Sequence, residues 1–203
     1  EFAATHSMKE LLQRTLDVLE ERTGSSIGFC HSVDDDQEHL TLQAWSTRTV
    51  KEFCRAVGEG LHYRISEVGV WANAAIARHP VVHNDYASLP NRKGLPEGHA
   101  PVVRELVGPI MRSDRVVALL GVGNKESKYT EVDVETLSFL ADVGWSIAER
   151  KLAEEQATKE RSFSDNLIRT AQVIVLVLDP SGKIVTFNPY METLSGYALH
   201  EVR

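Results

Sequence analysis

Apolar residues recur at Met8, Leu11, Leu12, Leu16 and Leu19. That spacing places them on one stripe of a helix over residues 7–22. Thr23-Gly24 supplies its stop, because glycine enters the left-handed conformation that ends a helix without a side-chain clash. The period then falls to two. Ile27, Phe29, His31 and Val33 alternate with Gly28, Cys30 and Ser32, the signature of a strand. In the next strand Leu40, Leu42 and Ala44 point one way, and Thr41, Gln43 and Trp45 the other. Asp34–Asp36 between them reads as a solvated turn rather than a cation site.

A short helix is predicted over 49–56. A second is predicted over 67–79, where Val68, Trp71, Ala72, Ala75 and Ile76 share a face. Pro80 follows it, and residues 81–84 form a short strand. The stretch PVVHNDYASLPNRKGLPEGHAP, residues 80–101, then loses both periods after Asn84. RELVGPIM and RVVALLGVG pair as an apolar hairpin around Ser113-Asp114. Thr130 followed by Asp133 fits a helix-capping pattern, and Leu137, Leu140, Gly144, Ile147 and Ala148 keep the helical period. Beyond Arg150 the pattern turns charged, with neither Gly nor Pro until Pro180. One helix from 131 to about 170 is therefore expected. At ~1.5 Å per residue it spans roughly 60 Å, which suits a connector better than a compact domain. VIVLVLD and IVTFN then flank a Pro-Ser-Gly turn, and PYMETLSGYALHEVR reads as helix broken at Gly196.

Composition narrows the class without choosing a function. The chain has 203 residues, 42% hydrophobic and 25% charged, which is ordinary globular usage. A net charge of −7 argues against a nucleic-acid partner, since that needs a basic face. No apolar run approaches the ~20 residues that span a bilayer, so no membrane contact is expected of this segment. The start, EFAATHSMKE, lacks the plan of a secretory signal. Cys30 and Cys54 are expected to be reduced. Together these features predict a cytoplasmic location.

Candidate chemistry gathers in the polar loop. His83, Asn84, Asp85 and Tyr86 close a strand, and His99 and Arg104 lie near the far end. They supply donors, acceptors, an aromatic face and a cation, a mixture that suits a small polar or aromatic ligand over an apolar floor. Singly, each serves equally well to brace loop backbone or plug the core. Trp45 and Trp71 can stack on a planar ligand or simply fill the interior. Cys30 and His31 are adjacent on a strand, so they face opposite ways and do not share a metal ion. None of the eight His has metal-ligand spacing, and no nucleophile elbow or complete phosphate loop is present. No catalytic centre and no metal site are expected.

Helix, two strands, helices, strand, loop, hairpin and long helix, in that order, resemble a GAF domain over about residues 7–150. The stretches that carry the resemblance are WANAAIARHPVVHNDYASLP, LVGPIMRSDRVVALLGVGNK and YTEVDVETL. LVLDPSGKIVTFNPYMETLSGY, with Asn188 and the LSGY ending, resembles the first part of a PAS domain. The resemblance implies an α+β fold: a central antiparallel sheet with helices on both sides, a long connector helix and a partial PAS hairpin. The implied division is a sensory domain over 1–150, a signalling helix over 151–170 and a truncated PAS piece over 171–203. In such a domain the terminal helices cover one sheet face, and shorter helices and loops enclose a pocket on the other.

NKESKYTEVDV resembles a signature of GAF domains that bind cyclic nucleotides, with Tyr129 in place of Phe and Val134 in place of Glu. Lys125 reaching Asp133 is expected to act as a structural clamp there. The stretch where related photoreceptors attach a bilin, PEGHAPVVREL, has no Cys, which argues against covalent bilin. An imidazole from His83 or His99 leaves haem open, and the cofactor is otherwise unknown. The seam of the long helix starts as Leu140, Val143 and Ile147, then meets Arg150, Glu154, Ala157, Arg161 and Ser164 before Ile168. Such a weak seam can shift register cheaply. The resemblance implies a homodimer within a bacterial histidine kinase or diguanylate cyclase of two-component type, with PAS and output domains downstream. The competing expectation is a dimerisation scaffold that binds no ligand.

Overall fold

The computed structural model describes residues 6–53, 62–90 and 101–202. The chain divides into two compact units, Glu1–Lys151 and Leu152–Arg203.

The first unit opens with helix α1, Met8–Thr23. Ser7 and Glu10 form a reciprocal capping box: the Glu10 amide donates to Ser7 Oγ and the Ser7 amide to Glu10 Oε2. Gly24, at φ 69°, ends the helix in the left-handed conformation. Strands β1 (Ile27–Val33) and β2 (His39–Trp45) follow. A π-helical turn, Thr49–Phe53, occupies the described part of the helix expected at 49–56, and residues 54–56 lie outside the described residues. Thr49 ties this turn down: its Oγ1 accepts from the Gly28 amide at 2.9 Å, and it donates to the buried Glu20 carboxylate at 3.4 Å. Then come β3 (His62–Arg64), a 3-10 turn (Val70–Ala72), helix α2 (Asn73–Ala77) and β4 (Val81–His83). A second 3-10 turn (Tyr86–Ser88) leads to β5 (Glu105–Arg112) and β6 (Arg115–Gly123). The hairpin turns at Ser113 and Asp114, both with positive φ.

The six strands form one sheet in the order β3-β2-β1-β6-β5-β4, antiparallel throughout. Helix α3 runs from Glu131 to Thr170, as the uninterrupted pattern predicted. Its first half and α1 cover one sheet face. Leu12, Leu16 and Leu19 of α1 and Leu137, Ala141, Trp145 and Ala148 of α3 pack there on Cys30, Leu106, Leu120 and Val122. The opposite face carries a separate cluster built on Phe29, Leu40, Ala72, Val107 and Leu119. The α+β architecture expected from the sequence is therefore present.

Two sequence expectations are corrected. Cys30 pairs with Ala44 but His31 pairs with Leu42, so Gln43 is the extra residue of a β-bulge. A bulge breaks the period of two. Leu40 and Leu42 move to the face of Phe29 and His31, while Ala44 stays with the helices. Gln43, expected to point the same way as Trp45, instead donates to Ser32 Oγ at 2.9 Å. The helix expected over 67–79 shrinks to a 3-10 turn plus the five residues of α2. A 3-10 turn advances about 120° per residue rather than 100°, so the face shifts. Ala74 becomes fully buried and Ile76 is 70% exposed. Arg78, left-handed at φ 59°, and Pro80 close the helix.

The second unit holds the C-terminal part of α3, a hairpin of β7 (Leu176–Leu178) and β8 (Ile184–Phe187), and helices α4 (Pro189–Ser195) and α5 (Leu199–Val202). Gly196, left-handed at φ 76°, makes the expected break. Asn188 is its buried hub. Its Nδ2 donates to the carbonyls of Ile168, Ala171 and Val173, and its Oδ1 accepts from the Val175 amide.

Candidate functional site

The second sheet face is aromatic. The tip of the Phe29 ring lies over Gly121, where an added β-carbon would come within 2.1 Å of it. Only glycine lets the ring settle so close to the sheet. Trp45 and Trp71 approach Phe29 edge-on, with centroids at 6.2 and 5.5 Å. The two tryptophans are thus brought to one cluster, and both are only partly buried. Trp71 also stacks on His31, at 4.6 Å between centroids and 28° between planes. Tyr63 closes on the same imidazole at 6.3 Å.

His31 is the residue that sequence reasoning missed. Its alternation with Cys30 served only to dismiss a shared metal, although the same alternation put it beside Phe29. It is 5% exposed, and burial alone pushes its pKa down to about 3, so the ring is neutral near pH 7. Among the described residues, its Nδ1 has no hydrogen-bond partner.

The loop residues take bracing positions. His83 pairs across the strands with Glu105, Nδ1 to Oε1 at 2.8 Å, and both are largely buried. Asn84 grips the peptide of Tyr129 from both sides: Nδ2 donates to its carbonyl at 3.1 Å and Oδ1 accepts from its amide at 2.7 Å. Asp85 caps the 3-10 turn by accepting from the Ser88 amide. Tyr86 is buried and its amide donates to the Val103 carbonyl. Arg104 Nη1 donates to the carbonyls of Lys125 and Glu126. His99 lies outside the described residues.

Lys125 Nζ sits 2.6 and 2.7 Å from the two oxygens of Asp133. Asp133 also accepts from the amide and hydroxyl of Thr130 at the start of α3. Burial opposes ionisation of Asp133, but Lys125 and Thr130 outweigh it and hold the carboxyl below its usual range. Tyr129 earns its hydroxyl. It meets Ser25 at 2.8 Å, Ser25 meets Thr23 at 2.7 Å, and burial pushes the phenol up to about 12. A Phe there would strand that chain of hydroxyls.

A cleft of about 590 Å³ opens at Gly24, Ser26, Arg48 and the Asn124–Ser127 segment. Of the candidate site and clamp residues named from the sequence, it contains Lys125 alone. Among the described residues, no three His, Cys, Asp or Glu side chains are placed to hold a metal ion. Cys30 is a buried free thiol, its pKa raised by burial, and Cys54 lies outside the described residues. None of the described helices is long and apolar enough to cross a membrane.

The first sheet face meets α3 through tight contacts. Arg112, at the end of β5, reaches three α3 residues: Asp142 at 2.6 Å, Ser146 at 2.8 Å and Glu149 at 2.9 Å. Gly144 of α3 lies against Thr15 of α1, leaving no room for a β-carbon.

Residues 5–149 match the family model for the GAF domain. The chain belongs to the GAF domain family. This GAF chain is 34% identical over 164 residues to the methyl sulfide methyltransferase-associated sensor of Methanosarcina acetivorans. The match covers 80% of the chain but only 16% of that relative, so the chain spans about a sixth of its length. Two solved structures show the same fold at low identity. The GAF domain of an Acinetobacter phosphoenolpyruvate-protein phosphotransferase aligns at TM-score 0.60 and 16% identity, covering 74% of this chain and 87% of that one. Residues 122 to 287 of a methyl-accepting chemotaxis protein align at TM-score 0.58 and 18% identity, covering 71% and 90%.

Proposed function

We propose that this GAF domain is the sensory input module of a larger, cytoplasmic signalling protein. It binds a small ligand on the second sheet face and passes the bound state to helix α3. The observation that carries this reading is the aromatic cluster of the partly exposed Trp45 and Trp71 with the buried Phe29 and His31, set on the face that the terminal helices leave to short elements. A sensor among the relatives fits such a role. His83, Asn84, Asp85 and Arg104 brace the fold rather than carry the chemistry of the site. The segment is regulatory and non-catalytic. Residues 151–170 are a signalling helix, residues 171–203 belong to a PAS domain, and the parent is a histidine kinase or diguanylate cyclase.

The relay runs through the Arg112 contacts, since they join the tip of the β5–β6 hairpin to three turns of α3. A ligand biases that helix only by binding two of its arrangements with different affinity. Phe139, Val143 and Ile147, at 67, 40 and 41% exposure, line the outer side of α3 and suit a second copy of the chain. The same stripe supports the competing reading of a dimerisation scaffold. A thermal-shift screen with mass measurement in solution separates the two. A stabilising compound that does not bind when Trp71 is replaced by Ala supports the receptor. A tight dimer with no responding compound supports the scaffold.

A further inference from the structure

We infer that residues 124–130 form a coupling segment: both ends of the polar loop hold it, it holds the start of α3, and a shift of the loop ends therefore reaches the first turns of that helix. The inference rests on the receptor reading above. It adds a second entry into α3, earlier in the helix than the Arg112 contacts. The described ends of the loop are residues 84–90 and 101–104. The Tyr86 amide donates to the Val103 carbonyl at 3.0 Å and so joins one end to the other.

Three side chains make the contacts on the loop side. Asn84 donates to the Tyr129 carbonyl and accepts from the Tyr129 amide. Hydrogen bonds are directional, so two of them to one residue fix its rotation as well as its place. Asn124 reaches in the other direction. Its Oδ1 accepts from the Val103 amide and its Nδ2 donates to the Pro101 carbonyl, both at 2.8 Å. Its backbone is left-handed at φ 58°, a conformation asparagine enters more readily than most residues. Arg104 Nη1 spans the carbonyls of Lys125 and Glu126.

On the helix side the routes are short. Lys125 is held at both ends, its carbonyl by Arg104 and its ammonium by Asp133 of α3. Tyr129 is held by Asn84, and the next residue, Thr130, donates its amide and hydroxyl to Asp133 Oδ2. Asp133 is buried, so losing these donors would leave a carboxylate out of water without its partners. The first turn of α3 is thus sensitive to where the segment sits. The Tyr129 hydroxyl also meets Ser25, and Ser25 meets Thr23 at the end of α1, so both helices of the first sheet face share this segment.

The loop end that carries Asn84 is the one best placed to shift. It follows β4, a three-residue strand at the edge of the sheet that pairs with β5 alone among the described strands. Strands inside the sheet are held from both sides.

The test needs no ligand and uses the whole 203-residue chain. Asp85→Ala removes the cap of the Tyr86–Ser88 turn and so loosens the loop beside Asn84. Hydrogen–deuterium exchange is read over residues 130–137 and referenced to β6, a central strand whose exchange follows global opening. In the wild-type background Asp85→Ala should speed exchange over 130–137 by at least about threefold relative to β6. In the Asn84→Ala background the same change should add less than about 1.5-fold, because the link is already cut. Asn84→Asp keeps the acceptor for the Tyr129 amide and loses the donor. It should give an intermediate response, and it carries the test should the alanine variant fail to fold. An equal effect of Asp85→Ala in all backgrounds overturns the inference, and so does the absence of any effect over 130–137 in the wild-type background. Either failure leaves the receptor reading standing, since the thermal-shift screen decides that separately.

Discussion

Leu137 of α3 occupies the space a side chain on Gly108 of β5 would need: its Cδ2 lies 2.3 Å from where that β-carbon would stand. Helix and sheet therefore touch without a spacer beneath the first turns of α3. Gly108→Ala should destabilise the domain by about 1–3 kcal/mol, since a tightly packed contact has no slack for an extra methyl. Combining it with Leu137→Ala should recover part of that loss. A double-mutant cycle by chemical denaturation checks this, and purely additive losses would show that the two residues do not meet.

Arg112 makes its contacts to Asp142, Ser146 and Glu149 while partly exposed, so water and salt screen them. Arg112→Ala should cost about 1 kcal/mol, less in high salt, and Arg112→Lys should recover little because a lysine lacks the planar fork. Melting curves of the three proteins at low and high ionic strength provide the measurement. A loss independent of salt would place the effect in packing.

The buried His31 links stability to pH. Its folded pKa is pushed down from 6.5 to about 3, so the unfolded chain takes up the proton first as pH falls. Its contribution is intact above about pH 6.5 and is lost as pH drops from there toward 3, at about 1.4 kcal/mol per pH unit. Wild type should therefore lose about 2 kcal/mol more than His31→Phe between pH 7 and pH 5. Parallel pH profiles for the two proteins would mean that the imidazole charges freely in the folded state.

Asn188 satisfies three carbonyls and one amide with a single side chain. Asn188→Asp removes the donors and faces a carboxylate to three carbonyl oxygens, so it should be worse than Asn188→Ala. Each should cost the second unit at least about 2 kcal/mol. Amide exchange at Val175 and across β7 should rise accordingly. Unchanged exchange in the aspartate variant would show that the hub is not holding the hairpin to α3.

How much of this the sequence carried depends on how local each signal is. Helix α1, helix α3, the Ser113-Asp114 turn and the Gly196 break were legible because caps, periods and turn residues act over a few positions. The bulge at Gln43 was not, because register is decided by the neighbouring strand. That one inserted residue reversed the faces of Leu40 and Leu42. The helix around Trp71 was overestimated because alanines and Ile76 read as an apolar face wherever they fall, and the 3-10 turn that rotates it has no signature there. In the site, Trp45 and Trp71 were found by type. His31 was passed over because its interest lies in what surrounds it: three aromatic rings from separate segments and, among the described residues, no partner for Nδ1.

The account stands on one coupling, between a small molecule on the aromatic sheet face and the helix clamped to the other side. Hydrogen–deuterium exchange along α3, with and without the tightest compound from a thermal-shift screen, tests it directly. Binding should slow exchange over residues 137–149, and Arg112→Ala should blunt the response while leaving affinity intact. Saturating the site with no change in α3 exchange would contradict the coupling and leave a domain that binds without signalling through that helix.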